Sequence, residues 1–565
     1  MRAQPEPVTT AGLRPELFAE AGAKFLRRRF LIAILAFLVL AGFGLRVWSL
    51  SAESLSEDEL NKLSAVEDYR AHGLTAANGE HPFLMKAMLL ISLVATEKWN
   101  QTSLVQSHPA ELRVTMETAL RLPAALFGAL ALLLIYLLAK ELFGFEVALI
   151  AAALWAFDPS AIAFNRIAKE DTFVVFFFML ANVFWLRGQR AAEGERDAWP
   201  EKYYWATAAA FGAMLASKYL PYLITVSVSY NYIFQGIAAT RWRIGKRRFL
   251  IFFAIMGAVF LLCNPTILLP ATWREMLAFA SYQKLGHDSY EFMGTLYSHK
   301  LTDWLRGIPW YFYFVFMAVK LPVLTVAAFL VGLPQLLRRR TGDGRYFLFF
   351  WMFFWFLFFG ITGGKFTRYF TTLLPAVLMT AAIGLQFVSR HVMSVFGDGI
   401  KLYARAALAS LVIISSAWAA VSAAPYYRLY TNALGGGRAR AGDYFPQDEF
   451  YDGYMREVMF EVGRRARQGA RVASETPGLA AYYAREANRA DLVCVSLSDP
   501  AALKELGAGD FIIVARGRRY HSNEALLASL SGSTTPAFRV SLGGVPAVEA
   551  YMLDENSVKI LTTFY

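Results

Sequence analysis

The chain has 565 residues, of which 56% are hydrophobic and 15% aromatic, and its mean hydropathy is +0.37. This is far more apolar surface than one soluble core can use, and several apolar runs are long enough to cross about 30 Å of hydrocarbon. The net charge of +12 lies mainly in short basic segments between apolar runs, where basic residues report membrane orientation. Composition therefore excludes a soluble globular protein, argues against a nucleic-acid partner, and predicts a polytopic membrane protein.

Taken in chain order, eleven apolar segments predict about eleven transmembrane helices. They lie near residues 30–49, 119–138, 145–164, 172–187, 203–217, 219–236, 249–263, 309–333, 346–362, 369–388 and 404–423. Every second segment is flanked by basic residues, which lie at 24–29, Lys140, 187–202, 241–248, 338–345 and 390–405. Because basic loops remain in the cytoplasm, an even number of crossings must separate successive clusters. The N-terminus is therefore predicted to be cytoplasmic and the chain after the last span extracytoplasmic.

Two ambiguous segments are assigned by the same charge argument. Residues 82–96 are apolar but short and contain Lys86, and a span there would reverse the side of the next basic residue. They are predicted to form an amphipathic helix at the extracytoplasmic interface. Residues 203–234 have basic clusters beyond both ends, so they are predicted to cross twice, with a turn near Lys218 and Pro221.

Charged residues collect on the predicted outer face, where spans end. They are Asp58 and Glu59 after span one, His81 and Lys86 in HPFLMK, Arg121, Arg166 and Asp171 in RIAKED, Lys218, and Lys365 with Arg368 in GKFTRYF. Carboxylates at the membrane surface are costly to hold unless they have a function. Cations there can neutralise a phosphate, Arg as a two-pronged donor and Lys as a point charge. An acidic pair beside them can remove a proton from a hydroxyl or hold a divalent metal ion.

Each group of charges also has a structural interpretation. The acidic pair follows Ser56, which can cap a helix whose first turn is stabilised by acids. The RIAKED charges could form an ordinary interfacial ion-pair cluster, and the GKFTRYF cations could anchor a span by reaching the membrane surface. Residue types and spacing alone leave both interpretations open.

The order of these motifs resembles the GT-C superfamily of membrane glycosyltransferases. The motifs are the acidic pair, HPxLxK about twenty residues later, R-x4-D from Arg166, the lone Lys218 between short helices, K-x2-RY from Lys365, and YYRLYTNALGGG after the last span. Over residues 30 to about 445, the chain is similar to the dolichyl-phosphate-mannose protein mannosyltransferases and the lipid A aminoarabinose transferases. The usual HPPLGK of that family is HPFLMK here, without the second proline and the glycine.

The resemblance implies a bacterial inner-membrane enzyme of GT-C fold that transfers a sugar from a polyprenyl-phosphate donor on the extracytoplasmic face, usually with inversion. It implies that Asp58, with Glu59 beside it, is the catalytic base or orients the acceptor. Candidates for the donor phosphate are Lys86, Arg166, Lys218, Lys365 and Arg368. The predicted substrate-binding set is completed by His81, Arg121 and Asp171. The acceptor can be a protein, a lipid or a polysaccharide, and a divalent metal ion remains open as a cofactor.

Composition divides the chain into two predicted domains. Residues 1–424 form the transmembrane domain, whose outer loop 50–118 contains the acidic pair and interfacial helices. Residues 425–565 are rich in charge and alternate strand-like runs with helical stretches, which predicts a small extracytoplasmic α/β domain with a mostly parallel sheet. Because this tail shows no cluster of catalytic type, its predicted role is to bind or position the acceptor.

The alternative function is a transporter or flippase for a lipid-linked sugar. Transporters tend to contain structural repeats and polar residues near the membrane midplane. This sequence shows no convincing repeat, and its charges gather at one interface instead of along a pore. The pattern therefore favours an enzyme.

Overall fold

The structure is a computed structural model that describes residues 15–193, 199–234, 246–281, 287–391 and 398–562. A short hairpin, β1 Ser289–Phe292 and β2 Thr295–Ser298, lies among the helices of the first 424 residues. Those helices are α1 Pro15–Val47, α2 Glu57–His72, α3 Phe83–Asn100, α4 Ser103–Ser107, α5 Pro109–Leu112, α6 Met116–Phe143, α7 Phe145–Phe157, α8 Pro159–Phe164, α9 Asp171–Glu193, α10 Glu201–Leu215, α11 Tyr222–Val228, α12 Lys246–Cys263, α13 Pro270–Ala280, α14 Phe312–Lys320, α15 Val323–Gly332, α16 Gly344–Ile361, α17 Leu374–His391 and α18 Asp398–Ala423.

Each predicted span is largely helical over its described residues. Five helices are long and apolar enough to cross a membrane, and they are Arg28–Val47, Pro109–Phe143, Asp171–Ala192, Gly344–Ile361 and Tyr403–Ala423. Shorter apolar helices cover Phe145–Phe157, Arg248–Cys263 and Val323–Leu337. The chain is therefore an integral membrane protein, whereas the number of eleven spans stays a prediction.

Two predicted spans are broken at a proline, and a third changes its helical geometry. The third span divides at Asp158, before Pro159, into α7 and α8, and the eighth divides at Leu321, before Pro322, into α14 and α15. Proline lacks the backbone N–H and disfavours a helical conformation in the residue before it. The sixth span continues α11 as a π-helical turn, Ser229–Phe234. The predicted turn between spans five and six is present between α10 and α11.

The two ends of the helical bundle differ as the charge argument requires. The ends that contain the basic clusters are joined by ion pairs, which are Arg190–Glu141, Arg248–Glu201 and Arg390–Glu146. Arg196 and residues 241–245 of these clusters lie outside the described residues. The predicted outer loops meet at the opposite ends of α6 and α9. Which end faces the cytoplasm stays a prediction.

The segment predicted as an amphipathic helix is α3. It packs against α2 and α6, and its buried side chains are Leu84, Met85, Lys86, Leu89 and Leu93. Its helical conformation is therefore as predicted, while its location at the membrane interface stays a prediction.

The tail contains a five-stranded sheet with helices, so the predicted α/β character is confirmed. Its helices are α19 Pro446–Phe450, α20 Met455–Arg465, α21 Pro477–Glu486, α22 Pro500–Leu503, α23 Glu524–Ser533 and α24 Glu555–Thr562. Its strands are β3 Arg471–Ser474, β4 Val493–Ser496, β5 Phe511–Ala515, β6 Phe538–Leu542 and β7 Val545–Met552, arranged in the order β4-β3-β5-β7-β6.

The predicted mostly parallel sheet is wrong for half of the strand pairs. Strand β3 pairs in parallel with β4 and β5, but β7 runs antiparallel to both β5 and β6. The cause is a hairpin at Gly543 and Gly544, whose φ angles of 56° and 80° suit glycine. A two-residue connection joins antiparallel strands, whereas a parallel pair needs a crossover of a dozen residues or so.

One face of this sheet shares a hydrophobic core with the outer loops. Val472 and Phe511 from the sheet belong to the same buried cluster as Leu55, before α2, and Met85 of α3. The opposite face packs against α22, α23 and α24. The tail is thus packed directly on the loop that contains the acidic pair, while the predicted domain boundary at 424 stays a prediction.

Lys320, at the end of α14, fastens the tail to the helical bundle. Its ammonium group forms an ion pair with Glu449 of α19 and donates to the backbone carbonyls of Tyr430 at 2.8 Å and Arg428 at 3.1 Å. Both side chains of the ion pair are at most 5% exposed. Because the pair is buried and well coordinated, removing one partner leaves an uncompensated charge.

We expect Lys320→Met to destabilise the folded chain by about 3 kcal/mol, because Glu449 is left buried without its ion-pair partner. The measurement is the thermal unfolding midpoint of the full chain in detergent. Lys300→Met is the matched control, since Lys300 is exposed. Equal midpoints for the two variants would contradict the fastening role of Lys320.

Candidate active site

A cavity of about 790 Å³ lies between the predicted outer ends of the helices and the tail. The cavity is lined mainly by residues of the predicted outer loops and by tail residues 447–452 and Arg518. Segments that are distant in sequence therefore meet at one place. The structure describes all ten predicted site residues, and five line the cavity: Asp58, His81, Asp171, Lys218 and Arg368. The five that do not line it are Glu59, Lys86, Arg121, Arg166 and Lys365.

Asp58 lies in the first turn of α2 and faces the cavity, with 34% of its side chain exposed. Its Oδ2 atom is 2.8 Å from Lys169 Nζ and 3.7 Å from a guanidinium nitrogen of Arg368. The hydroxyl of Tyr451 donates a hydrogen bond of 2.8 Å to the same oxygen. Burial alone would raise the pKa of Asp58, but neighbouring cations, Lys169 foremost, outweigh it and hold that pKa well below its usual range. Asp58 is therefore an ionised carboxylate at neutral pH.

Glu59, the other acid of the pair, is fully buried and points away from the cavity. Its two carboxylate oxygens accept a bidentate pair from Arg121, at 2.9 and 2.7 Å. They also accept the backbone N–H groups of Ala168 and Ser56, and Ser56 in turn caps α2. With all these bonds made, Glu59 has the environment of a structural residue, and its predicted catalytic role is not supported by its location.

The acidic pair does not offer two ligands to one metal ion. Successive residues on a helix point about 100° apart, and here Asp58 faces the cavity while Glu59 faces Arg121. Among the described residues, no group of three or more His, Cys, Asp or Glu side chains is arranged to hold a metal ion.

Arg121 and Arg166 were predicted to contact the substrate, but in the structure their guanidinium groups donate to backbone carbonyls. Besides Glu59, Arg121 donates to the carbonyls of Leu50, Glu53 and Ser54 at 2.7–2.8 Å. Arg166 donates to carbonyls at the end of α1 and just beyond it, including Arg46 O and Trp48 O. A cation at a helix C-terminus satisfies carbonyls that lack partners within the helix. These two arginines therefore fix the path of the chain from α1 to α2.

Lys86 and Lys365 are likewise bound to carbonyls. Lys86 Nζ donates to Asn78 O at 2.8 Å, His81 O at 3.0 Å and Ala77 O at 3.2 Å, which folds the turn before α3 around the ammonium group. Lys365 Nζ donates to the carbonyls of Ile308 and Thr362. Both side chains are at most 1% exposed, so neither presents a charge to the cavity.

Lys218 and Arg368 are the predicted phosphate ligands that do reach the cavity. Lys218 Nζ lies 2.7 Å from Asp171 Oδ1. Arg368 lies between two carboxylates, 3.7 Å from Asp58 and 3.8 Å from Asp448. These two distances exceed those of hydrogen-bonded ion pairs, so Arg368 is the cation held most loosely by its partners.

His81 belongs to a network with Glu170 and Lys62. Of these three residues, only His81 was among the predicted site residues. Its Nδ1 atom is 3.3 Å from Glu170, which also forms an ion pair of 2.7 Å with Lys62. Burial, helped by the charge of Lys62, holds the pKa of His81 well below its usual range, so the ring is neutral at pH 7. Burial also lowers the pKa of Lys62 to about 8. The sequence did contain a signal for Lys62, since it lies four residues after Asp58 on the same helical face.

The tail contributes five charged or hydrogen-bonding side chains that no sequence motif indicated. They are Gln447, Asp448, Tyr451, Asp452 and Arg518, and all line the cavity. Arg518 forms a two-pronged pair with Asp452 and lies 3.2 Å from Glu57 of α2. Isolated residues of this kind have no spacing or repeat that would mark them in a sequence.

The cavity has a charged floor and an apolar side. Each Lys and Arg that lines it is paired with a carboxylate, and the pairs are Lys62–Glu170, Lys169–Asp58, Lys218–Asp171, Arg368 with Asp58 and Asp448, and Arg518–Asp452. The larger apolar lining residues are Leu220, Met276, Phe279, Leu301, Phe358, Phe359 and Phe366. The two parts adjoin, because Lys218 lies 4.7 Å from the ring of Tyr369, which is 5.0 Å from the ring of Phe359. Such a cavity suits an amphiphile with an anionic head and an apolar chain.

Comparison with protein families identifies a match in the first half of the chain. Residues 102–269, which are 168 of the 565 residues, match the family model described as dolichyl-phosphate-mannose-protein mannosyltransferase. This range is narrower than residues 30 to about 445, over which the motifs were found. A search of the curated proteins gives no match.

Several solved structures are similar to this chain at low sequence identity. ArnT from Cupriavidus metallidurans in the apo state is 14% identical, with 93% of this chain and 98% of that chain covered and a TM-score of 0.50. The oligosaccharyltransferase of Archaeoglobus fulgidus, tethered to an acceptor peptide, is 12% identical, with 93% and 74% covered and a TM-score of 0.50. The Cupriavidus ArnT bound to undecaprenyl phosphate is 13% identical, with 92% and 98% covered and a TM-score of 0.48.

The structural matches show the fold, and the family match concerns the sequence of the helical part. Neither gives support to a transporter or flippase. Together they agree with the predicted enzyme class: residues 102–269 are similar to the dolichyl-phosphate-mannose-protein mannosyltransferase family, and the fold is shared with ArnT from Cupriavidus metallidurans and with the Archaeoglobus fulgidus oligosaccharyltransferase.

Proposed function

We propose that the chain transfers a sugar from a polyprenyl-phosphate-linked donor to an acceptor on the extracytoplasmic face of a bacterial inner membrane, with inversion at the anomeric carbon. The observation that supports this most directly is Asp58, an ionised carboxylate held between cations in a cavity with an apolar side. The name of the matching family contains a donor of this class, dolichyl phosphate mannose. The acceptor is left open among protein, lipid and polysaccharide.

The donor is proposed to bind with its lipid chain along the apolar side and its phosphate near Lys218 and Arg368. Arg368 is the strongest candidate, because its two carboxylate partners are 3.7 and 3.8 Å away and a phosphate can offer it two closer oxygens. Lys218 lies beside the aromatic ring of Tyr369 at the start of the apolar side. The charged head and the apolar chain of one lipid would thus each meet a matching surface.

In the proposed reaction, an acceptor hydroxyl or amine attacks the anomeric carbon. The new bond forms from the acceptor oxygen or nitrogen to that carbon, and the bond from the carbon to the phosphate oxygen breaks. The acceptor proton goes to Asp58, and the lipid phosphate leaves with the bonding electron pair, stabilised by the nearby cations. One carboxylate acting as base in a single displacement gives inversion.

Binding of the donor would also raise the pKa of Asp58, the proposed base. Arg368 is among the charges that hold the pKa of Asp58 well below its usual range. A phosphate that draws Arg368 toward itself weakens this effect, so the proton affinity of Asp58 rises when the donor is in place. Asp58 would then be a weak base in the empty cavity and a stronger base in the donor complex.

The tail is proposed to form the acceptor side of the cavity. Its residues Gln447, Asp448, Tyr451, Asp452 and Arg518 line the cavity. Three of these, Tyr451, Asp452 and Arg518, reach the first turn of α2, where Asp58 is located. An acceptor that enters between the tail and α2 would therefore arrive next to the proposed base.

We expect Asp58→Asn to lower sugar transfer by about 100-fold or more, which is the usual scale for loss of a general base. Membranes containing the full chain would receive tritiated undecaprenyl-phosphate mannose, glucose or aminoarabinose in separate reactions. The readout is label that leaves the lipid fraction. Near-normal transfer by Asp58→Asn, or no turnover of any of these donors by the wild-type chain, would count against the proposal.

The adjacent acid provides the control for this variant. Glu59→Gln should lower the thermal unfolding midpoint, because Arg121 would lose a buried bidentate partner. Asp58→Asn should lower that midpoint less, since Asp58 is partly exposed and the asparagine amide oxygen can still accept from Lys169 and Tyr451. If the two variants lost activity and stability in parallel, the separation of a functional Asp58 from a structural Glu59 would be wrong.

The cations can be tested without knowing the sugar. We expect Arg368→Met and Lys218→Met each to weaken binding of tritiated undecaprenyl phosphate by about tenfold, the scale of one lost charge-assisted hydrogen bond. Binding is measured on the purified full chain in detergent. Lys98→Met removes an exposed charge outside the cavity and should bind as the wild type does. Equal binding by all three variants would exclude this phosphate site.

A further inference from the structure

Two consecutive tail residues that line the cavity have a left-handed backbone conformation. Helix α19 ends at Phe450, and the next two residues, Tyr451 and Asp452, have positive φ angles of 44° and 59°. A left-handed conformation costs a residue other than glycine about 1–3 kcal/mol, so two in succession persist only where the surroundings impose them. Such strain is typical of functional sites, and here it lies at the cavity wall.

Asp452 locks this turn to the start of the helix that contains the proposed base. Its carboxylate accepts the backbone N–H of Glu57 at 3.1 Å and the Nε–H of Arg518 at 2.8 Å. Its carbonyl accepts the hydroxyl of Ser54 at 2.7 Å, and the Ser54 hydroxyl oxygen accepts the N–H of Met455 at 2.9 Å. The strained turn and the first turn of α2 therefore behave as one unit.

This arrangement places the hydroxyl of Tyr451 next to the carboxylate of Asp58. The ring of Tyr451 lies between two guanidinium groups, with its centroid 5.2 Å from Arg428 and 5.9 Å from Arg368. Its hydroxyl donates to Asp58 Oδ2 at 2.8 Å, and Lys169 reaches that same oxygen. The contacts given for Tyr451, Lys169 and Arg368 with the Asp58 carboxylate are all made to Oδ2.

We propose that Tyr451 is a positioning residue of the transfer reaction, which orients the Asp58 carboxylate from the tail so that one oxygen faces the acceptor. This inference deepens the proposed function and depends on it. It also changes the role of the tail, because the tail then acts on the base itself as well as on the acceptor. A base held in one orientation reacts faster because less of its motion must be frozen in the transition state.

Tyr483 supplies a matched control. Tyr483 is a buried tyrosine of the tail whose hydroxyl, like that of Tyr451, donates to a carboxylate outside the tail, here Glu117 at 3.1 Å. The same hydroxyl accepts the N–H of Leu55 at 2.6 Å. It does not line the cavity. Tyr483→Phe therefore removes an equivalent contact between tail and outer loop without touching Asp58.

The experiment compares Tyr451→Phe, Tyr483→Phe and Asp58→Asn in membranes supplied with whichever of the three tritiated donors the wild-type chain consumes. We expect Tyr451→Phe to lower kcat by about tenfold or more, because the base loses its fixed orientation. Its KM for the donor should stay within about twofold of wild type, and its unfolding midpoint should change little. Tyr483→Phe should keep kcat and lose stability.

Several results would overturn the inference. One is a wild-type kcat for Tyr451→Phe, and another is a rise in donor KM that accounts for the whole loss. A third is a loss of kcat that follows a loss of folded protein to the same degree as in Tyr483→Phe. If Asp58→Asn also retained transfer, the proposed function itself would fail, whereas inactivity of Asp58→Asn alone would confine the failure to Tyr451.

Discussion

The structure of the site depends on the buried pair between Glu59 and Arg121. Arg121 comes from α6, Glu59 from the first turn of α2, and the same guanidinium group collects three carbonyls of the segment before α2. Glu59 completes a capping box with Ser56 and accepts the N–H of Ala168. One ion pair thus fixes the start of α2 relative to a transmembrane helix and to the RIAKED segment. Asp58 faces the cavity because its neighbour in sequence is held elsewhere.

The sequence predicted the architecture well because its signals there are physical and local. Apolar length identifies membrane helices, and the sign of loop charges orders them, so the outer loops were expected to meet before any contact was known. Their meeting at one cavity agrees with that expectation. The motif order indicated the fold for the same reason, since widely separated short motifs on one predicted face constrain a fold much more than any one motif does.

The roles of individual cations were not predictable, because charge alone does not say where a side chain points. Lys86 and Lys218 have the same charge and are both near the outer face, yet Lys86 is enclosed by carbonyls and Lys218 lines the cavity. The difference comes from the local backbone, which in the Lys86 turn presents three carbonyls inward. The position of Tyr451 in the tail was not predictable either, because it depends on a strained turn that no residue pattern indicates. By contrast, the Gly543-Gly544 pair is a sequence signal for the hairpin that makes the sheet mixed.

The pairing of every cavity cation with a carboxylate has a consequence for turnover. In the proposed reaction the lipid phosphate is both the head of the donor and the head of the product, and a site of bare cations would retain it after transfer. Asp171 and Asp448 remain beside Lys218 and Arg368 throughout the cycle, and they compete for these cations as soon as the sugar has left. The acids thereby set an upper limit on the affinity for the spent lipid. A cavity with fewer carboxylates would bind its donor more tightly and release its product more slowly.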